Sequence, residues 1–288
     1  MGIYRSQEGK NASLKLYDEQ IEKLGVPYTD IYVDTSFGRT HLIDTGNKNG
    51  KPLLIFHGGN STTSYNLLMF RFLIEEFHIY AVDIVGHPGK SAEVSLPHTG
   101  YAYGDWASEV IDAIGYSKIS CLGASFGGGV LAKLLCVAPN KIERAVLIVP
   151  SGINNAFPIG SAKMMIPLVK YRLHNEDRYL IETAKYMALR EEVIDSDTFD
   201  TLKDSFDNVK TKVGMPSNIS SKKLCGYHSP TLVIAAEEDC LFPARKVLPR
   251  AKKIFENCET YMLENCGHMH IMPSEVKNMI KNFLLKQI

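Results

Sequence analysis

Ser125 stands in Gly123-Ala124-Ser125-Phe126-Gly127, just after an apolar run and just before a helix-like one. This is the G-x-S-x-G pattern, whose meaning depends on that strand–turn–helix setting. A serine squeezed between strand and helix must take a strained backbone conformation, and bulk at its flanks would collide with neighbouring main chain. The return is a hydroxyl lifted toward solvent beside the Phe126 amide at a helix N-terminus, where developing negative charge is favoured. The alternative, a flexible loop that happens to hold a serine, explains neither the apolar run before it nor the helix after it. The setting predicts a nucleophile.

A serine hydroxyl is a poor nucleophile until a base takes its proton. Among nine histidines, His268 in "ENCGHMHIMP" is the candidate, because its loop between the last strand-like run and the last helix would emerge on the same sheet edge as Ser125. His270 is the fallback. The H-x-H pair also offers two metal ligands, but no third accompanies them, so neither a metal nor a cofactor is expected. His57 in "FHGGN" and His87 in "VGHPGKS" suit structural or pocket-lining roles.

The imidazole in turn needs a carboxylate to fix its tautomer and stabilise the imidazolium. "VIAAEEDCLFP" carries Glu237, Glu238 and Asp239; Asp239 falls last, where strand becomes loop, and solvated or neighbour-paired roles suit the two glutamates. The order Ser125, Asp239, His268 is the one expected when these groups sit on an open α/β sheet. A second donor for the oxyanion is expected from "FHGGNSTTS", with the Gly59 N–H paired to that of Phe126.

These groups must be positioned by a sheet. "TDIYVDT" and "RTHLIDTG", joined at Ser36-Phe37-Gly38, read as a hairpin. "PLLIFH" (52–57), "HIYAVDI" (78–84), "KISCLGA" (118–124), "RAVLIVP" (144–150) and "PTLVIAAEED" (230–239) are near-continuous apolar runs, and "ETYMLEN" (259–265) is a weaker sixth. Such runs imply strands buried on both faces, hence a mostly parallel sheet covered by helices. Helical patterns fill the gaps, at roughly 13–24, at "SYNLLMFRFLIEE", "DWASEVIDAIG", "FGGGVLAKLLCVA" and "SEVKNMIKNFLLKQ". Strand alternating with helix predicts a doubly wound α/β arrangement.

About 79 residues, 151–229, break that rhythm with helical character and no convincing strand. A structureless loop of that length is improbable. The expectation is a core of residues 1–150 and 230–288 with a helical cap at 151–229, set at the strand carboxyl ends where ligands bind. Its eleven basic and ten acidic residues nearly cancel. Met164, Met165 and Ile166, followed by Pro167, could line an apolar pocket or pack against the body of the insertion.

The chain of 288 residues is 45% hydrophobic and 22% charged, with 32 basic and 32 acidic side chains. That balance argues against nucleic acid or an anionic membrane as a partner. No run resembles a signal peptide or a membrane span, so a cytoplasmic location is expected. Met1-Gly2 with Ser6 fits the loose N-myristoylation pattern, and Asn11-Ala12-Ser13 is a sequon only in a secreted chain. The six cysteines have no disulfide or zinc spacing and read as free thiols. Cys240 and Cys266 adjoin the candidate catalytic groups, which leaves oxidation open beside an ordinary loop role.

"LLIFHGGN", "YAVDIVGHPGKS", "CLGASFGGG", "PTLVIAAEEDCLFP" and "CGHMHIMPSEV" together resemble the α/β-hydrolase superfamily, in its capped esterase-like branch, from about residue 30 to the C-terminus outside the insertion. The resemblance implies the α/β-hydrolase fold, with an eight-stranded, mostly parallel sheet and a lid after the sixth strand. It also implies Ser125, Asp239 and His268 as the triad. Ser125 separates the chain from relatives with dehalogenase or epoxide-hydrolase chemistry, which carry aspartate there. "HGGNS" and "GASFG" differ from the HGGPG and GxSWG of prolyl iminopeptidases, and "GHPGKS" replaces the commoner G-H-G-x-S. The activity implied is hydrolysis of small carboxylic esters through an acyl-enzyme on Ser125. The alternatives are a catalytically weak receptor or scaffold, an acyltransferase, or cleavage of thioesters, lactones, amides or carbon–carbon bonds.

Overall fold

The computed structural model describes residues 2–155, 161–210 and 214–286. Helix α1 (Gln7–Lys23) begins six residues before the expected start, because the Ser6 hydroxyl caps it by accepting from the Gly9 N–H at 3.0 Å. The hairpin β1 (Tyr28–Thr35) and β2 (Gly38–Gly46) follows, antiparallel with Thr35 opposite Gly38. Then come β3 (Lys51–Phe56), α2 (Thr63–Met69), β4 (Phe77–Val82), α3 (Ala102–Ala113), β5 (Ile119–Ala124), α4 (Phe126–Val137) and β6 (Ile142–Ile148). The helical run expected after β3 breaks at Phe70 and ends in a short 3-10 turn, Arg71–Leu73.

The insertion holds α5 (Ser161–His174), α6 (Asp177–Ala188) and α7 (Ser196–Asn208). Among its described residues the only strand-like pairing is an isolated bridge from Val209 to Tyr4. Met165 and Ile166, 42% and 59% exposed, do not pack into the body of the insertion, and Met164 beside them is half-buried. Pro167 and Tyr171, four apart on the opposite side of α5, are the buried pair instead. The chain re-enters the sheet at β7 (Thr231–Ala236) and closes with α8 (Ala244–Ile254), β8 (Cys258–Leu263) and α9 (Ser274–Leu285). Helix α8 was not expected: Pro249 and five basic residues mask the buried stripe of Ala244, Val247 and Ala251.

The eight strands run in the order β1-β2-β4-β3-β5-β6-β7-β8. Only the β1–β2 and β2–β4 pairings are antiparallel. Successive residues of a strand face opposite sides, so Leu54 and Phe56 join one apolar layer and Leu53 and Ile55 the other. The first layer is covered by α3, α4 and α8 through Trp106, Val130 and Val247. The second is covered by α1, α2 and α9 through Tyr17, Leu67 and Phe283. The chain passes from β3 to β4 on one side and then returns to lay β5 on the other, so the topological switch lies between β3 and β5. In such a sheet the carboxyl ends at the switch form the ligand crevice. The loop after β3 and Ser125 after β5 both emerge there.

Candidate active site

Ser125 links β5 directly to α4 with φ 51° and ψ −112°, a left-handed conformation costly for a residue with a Cβ. Its main chain is fixed from β6: Ser125 N–H donates to the Ile148 carbonyl at 2.9 Å. Its own carbonyl accepts from the N–H (3.1 Å) and the hydroxyl (3.2 Å) of Ser151. The turn closes only because a Cβ at Gly123 would strike the Gly127 carbonyl, and one at Gly127 would strike that of Phe56 at the end of β3. Gly127→Ala is therefore expected to cost about 3 kcal/mol through overpacking, read as a lowered Tm; an unchanged Tm would contradict the close approach.

His268, from the loop between β8 and α9, places Nε2 2.9 Å from the Ser125 Oγ. Its Nδ1 lies 2.8 Å from Oδ2 of Asp239, which follows β7. The other carboxylate oxygen, Oδ1, accepts from the N–H groups of Leu241 (2.7 Å) and Phe242 (2.9 Å), which fixes the carboxylate plane. The three side chains are nearly closed off, with Ser125 9%, His268 8% and Asp239 2% exposed. Glu237 instead accepts from the Asn265 N–H at 3.0 Å, and Glu238 is exposed. His270 turns its Nδ1 to the His268 carbonyl at 3.1 Å. Among the described residues no three of His, Cys, Asp and Glu are grouped to hold a metal ion.

The loop after β3 runs alongside the serine: a Cβ at Gly59 would stand 3.2 Å from the Phe126 Cβ. His57 sets this loop. Its Nε2 accepts the Ile84 N–H at 3.0 Å, so its proton sits on Nδ1 and is donated to the Gly58 carbonyl at 2.7 Å. Burial pushes its pKa below the ordinary value, as it does for His270. Unfolding lets both rings take up a proton near pH 6.5 that the folded protein refuses, so stability falls as pH drops. Tm is expected to decline from pH 7.5 to 5.5; a level or rising Tm over that window would contradict the buried neutral rings.

Sequence reasoning missed the support around Asp83 at the end of β4. This fully buried carboxylate meets the Nδ1 of buried His41 at 2.8 Å, the Lys90 N–H at 2.7 Å and the Tyr17 hydroxyl at 3.2 Å. Burial alone would raise its pKa, but His41 and the Lys90 N–H overcome it and hold the group below the usual carboxylate range. "VDIVGHPGKS" contained the aspartate, but its partners lie 66 and 42 positions upstream, at Tyr17 and His41, where no local pattern marks them. Cys240 sits beside Asp239, and burial with that neighbour pushes its thiol up to about 12. Burial raises Cys266 too. A raised pKa disfavours the thiolate that oxidation requires, and all six cysteines are unpaired.

The strand order, with a serine at the β5–α4 turn, defines the α/β-hydrolase fold. The family model described as "alpha/beta hydrolase fold" matches residues 51–192. Carboxylesterase YbfK of Bacillus subtilis is 25% identical over 93% of this chain and 92% of its own length. The crystal structure of that protein, CesB (YbfK), superposes with a TM-score of 0.82 at 23% identity, covering 98% of this chain and all (100%) of its own. Naproxen esterase (carboxylesterase NP) of Bacillus subtilis gives 0.81 at 20% identity, covering 97% and 99%. The chain has the α/β-hydrolase fold and is similar to these carboxylesterases along nearly its whole length.

Proposed function

We propose that the protein is a cytoplasmic serine esterase that cleaves small carboxylic esters through an acyl-enzyme on Ser125. The observation that carries this reading is the unbroken line from Asp239 Oδ2 through His268 to Ser125 Oγ, at 2.8 and 2.9 Å. His268 takes the hydroxyl proton as Ser125 Oγ attacks the ester carbonyl. Negative charge collects on the carbonyl oxygen, which the Gly59 and Phe126 amides receive. The imidazolium, steadied by Asp239, then protonates the departing alcohol. Water repeats the sequence on the acyl-enzyme, releasing the acid and restoring Ser125. Every proton has a donor and an acceptor among these groups, so the reaction calls for no cofactor. The carboxylesterase names of the relatives favour esters over other acyl compounds.

Residues 151–229 act in this reading as the cap on a core of 1–150 and 230–288. The insertion reaches both sides of the site. On one side Tyr65 of α2 meets Thr198 of α7, oxygen to oxygen at 2.7 Å; on the other, Met269 beside His268 donates to the Met187 carbonyl of α6 at 3.0 Å. A site closed to this degree favours short acyl groups. No described helix is long and apolar enough to cross a membrane, and a balance of 32 basic and 32 acidic residues offers no field for nucleic acid. A p-nitrophenyl ester series tests the reading: turnover is expected to peak at short chains and fall as the chain lengthens. Binding of these esters without turnover would mark a receptor and overturn it.

A further inference from the structure

We propose that the last turn of α6 and the ring of His270 hold the His268 loop in register, so that lifting the insertion off the core uncouples the base from Ser125. This rests on the esterase reading and adds positioning residues to it.

The carbonyls of the last turn of a helix have no partner inside the helix. In α6 the Lys185 carbonyl is closed by the Leu189 N–H at 2.9 Å, and that of Met187 is closed from outside, by the Met269 N–H at 3.0 Å. The donor belongs to the residue immediately after His268. The residue immediately before it is Gly267, where any Cβ would collide with the same Met187 carbonyl. The base is thus flanked on both sides by main chain seated on one atom of the insertion. The helix ends there because Leu189 turns to φ 63°, a left-handed conformation that a branched side chain adopts only when its surroundings enforce it.

His270 completes the mount from the other direction. Its Nδ1–H donates to the His268 carbonyl at 3.1 Å, and the ring is 8% exposed. It borders a cavity of about 80 Å³ whose walls include Ala188, Arg190, Glu192 and Val193 of the insertion and Cys266 and Ile271 of the loop. One imidazole therefore touches the carbonyl of the base and faces the segment that follows α6 across this cavity. The placement has an electrostatic side as well: the carboxyl end of a helix carries partial negative charge, and here it faces the loop of a histidine that becomes cationic during the reaction.

Among the described residues, no second main-chain hydrogen bond holds residues 267–269. Its other main-chain ties, Glu238 N–H to the Cys266 carbonyl (3.0 Å) and Glu237 N–H to the Leu263 carbonyl (3.0 Å), lie before Gly267. An insertion that opens to admit substrate would carry Met187 away from Gly267 and Met269, leaving the base unaligned until it closes. Closure over the bound substrate and activation of Ser125 become one event.

The test compares His270→Asn, whose side-chain amide can still donate to the His268 carbonyl, with His270→Phe, which fills the space and donates nothing. Gly267→Ala, which forces the loop off the Met187 carbonyl, is the third variant. His270→Phe and Gly267→Ala should lower kcat and the rate of fluorophosphonate labelling of Ser125 by the same factor, about 10²-fold, as a displacement of roughly 1 Å does. KM should stay within about twofold, and His270→Asn should recover most of the loss. Should Gly267→Ala not fold, the His270 pair carries the test alone. Wild-type kcat in His270→Phe, or equal losses in the Asn and Phe variants, would overturn the proposal. The downfield proton NMR resonance of the His268–Asp239 hydrogen bond gives a readout independent of ester turnover. It should persist in His270→Asn and broaden or vanish in His270→Phe, and its persistence in both would also overturn the proposal. Failure of the esterase reading has a different signature, namely hydrolysis that survives Ser125→Ala.

Discussion

Ser125→Ala is expected to lower kcat for ester hydrolysis by about 10⁶-fold, the scale seen when a nucleophile is removed from a unit that works together. The structure explains why the loss should be confined to chemistry. Among the described residues, the hydroxyl has one hydrogen-bond partner, His268 Nε2 at 2.9 Å. Everything that shapes the turn belongs to the main chain: the donation to Ile148, and the two bonds that the Ser125 carbonyl accepts from Ser151. Alanine keeps the same Cβ and faces the same cost at φ 51°, so Tm should change by no more than a few degrees, the equivalent of about 1 kcal/mol in a chain of this size. The measurement is kcat on a short p-nitrophenyl ester together with thermal unfolding. Near-normal activity in the folded variant would remove Ser125 from the mechanism.

Asp239→Asn is expected to cost about 10⁴-fold in kcat, and the hydrogen bonds give a specific reason. Oδ1 accepts two N–H groups, from Leu241 and Phe242, so the amide oxygen must occupy that position. The amide NH₂ is then left facing His268 Nδ1, where it can only donate. The imidazole is driven to the tautomer that carries its proton on Nε2, and Nε2 no longer has a lone pair for the Ser125 hydroxyl. Geometry survives and basicity toward the nucleophile is lost. Glu238→Gln serves as the control, since Glu238 is exposed and its change should leave kcat within about twofold. The reverse pattern would show that the carboxylate had been assigned to the wrong residue.

Much of this arrangement is legible in the sequence, for reasons that differ between elements. The five strands β3 to β7 are short apolar runs because both their faces are covered, and composition alone reveals that. Strand β1 alternates because one face meets water, whereas Thr40 to Ile43 of β2 are all buried because both its faces are covered. G-x-S-x-G could be interpreted because the chemistry of a strand–helix turn restricts residue type at consecutive positions. Other features depend on distant partners and leave no local trace. Helix α8 hides its buried stripe among Pro249 and five basic residues, of which Arg250 turns inward to the Ile219 carbonyl at 2.9 Å. Asp83 and His41 are assembled by the pairing of β2 with β4. Met165 and Ile166 look like core residues, yet α5 packs through Pro167 and Tyr171 instead. His270 was visible as a histidine, but its bond to the His268 carbonyl is a matter of ring orientation, which spacing does not encode.

The most direct test of the central claim is intact mass after treatment with a fluorophosphonate, followed by peptide mapping. The reagent forms a bond from the serine oxygen to phosphorus, expels fluoride, and needs a base to take the hydroxyl proton, so it reports the aligned Ser125–His268 pair rather than a particular substrate. The account predicts one adduct per chain, on Ser125, absent from Ser125→Ala. An unmodified protein, or an adduct on any other residue, would contradict it.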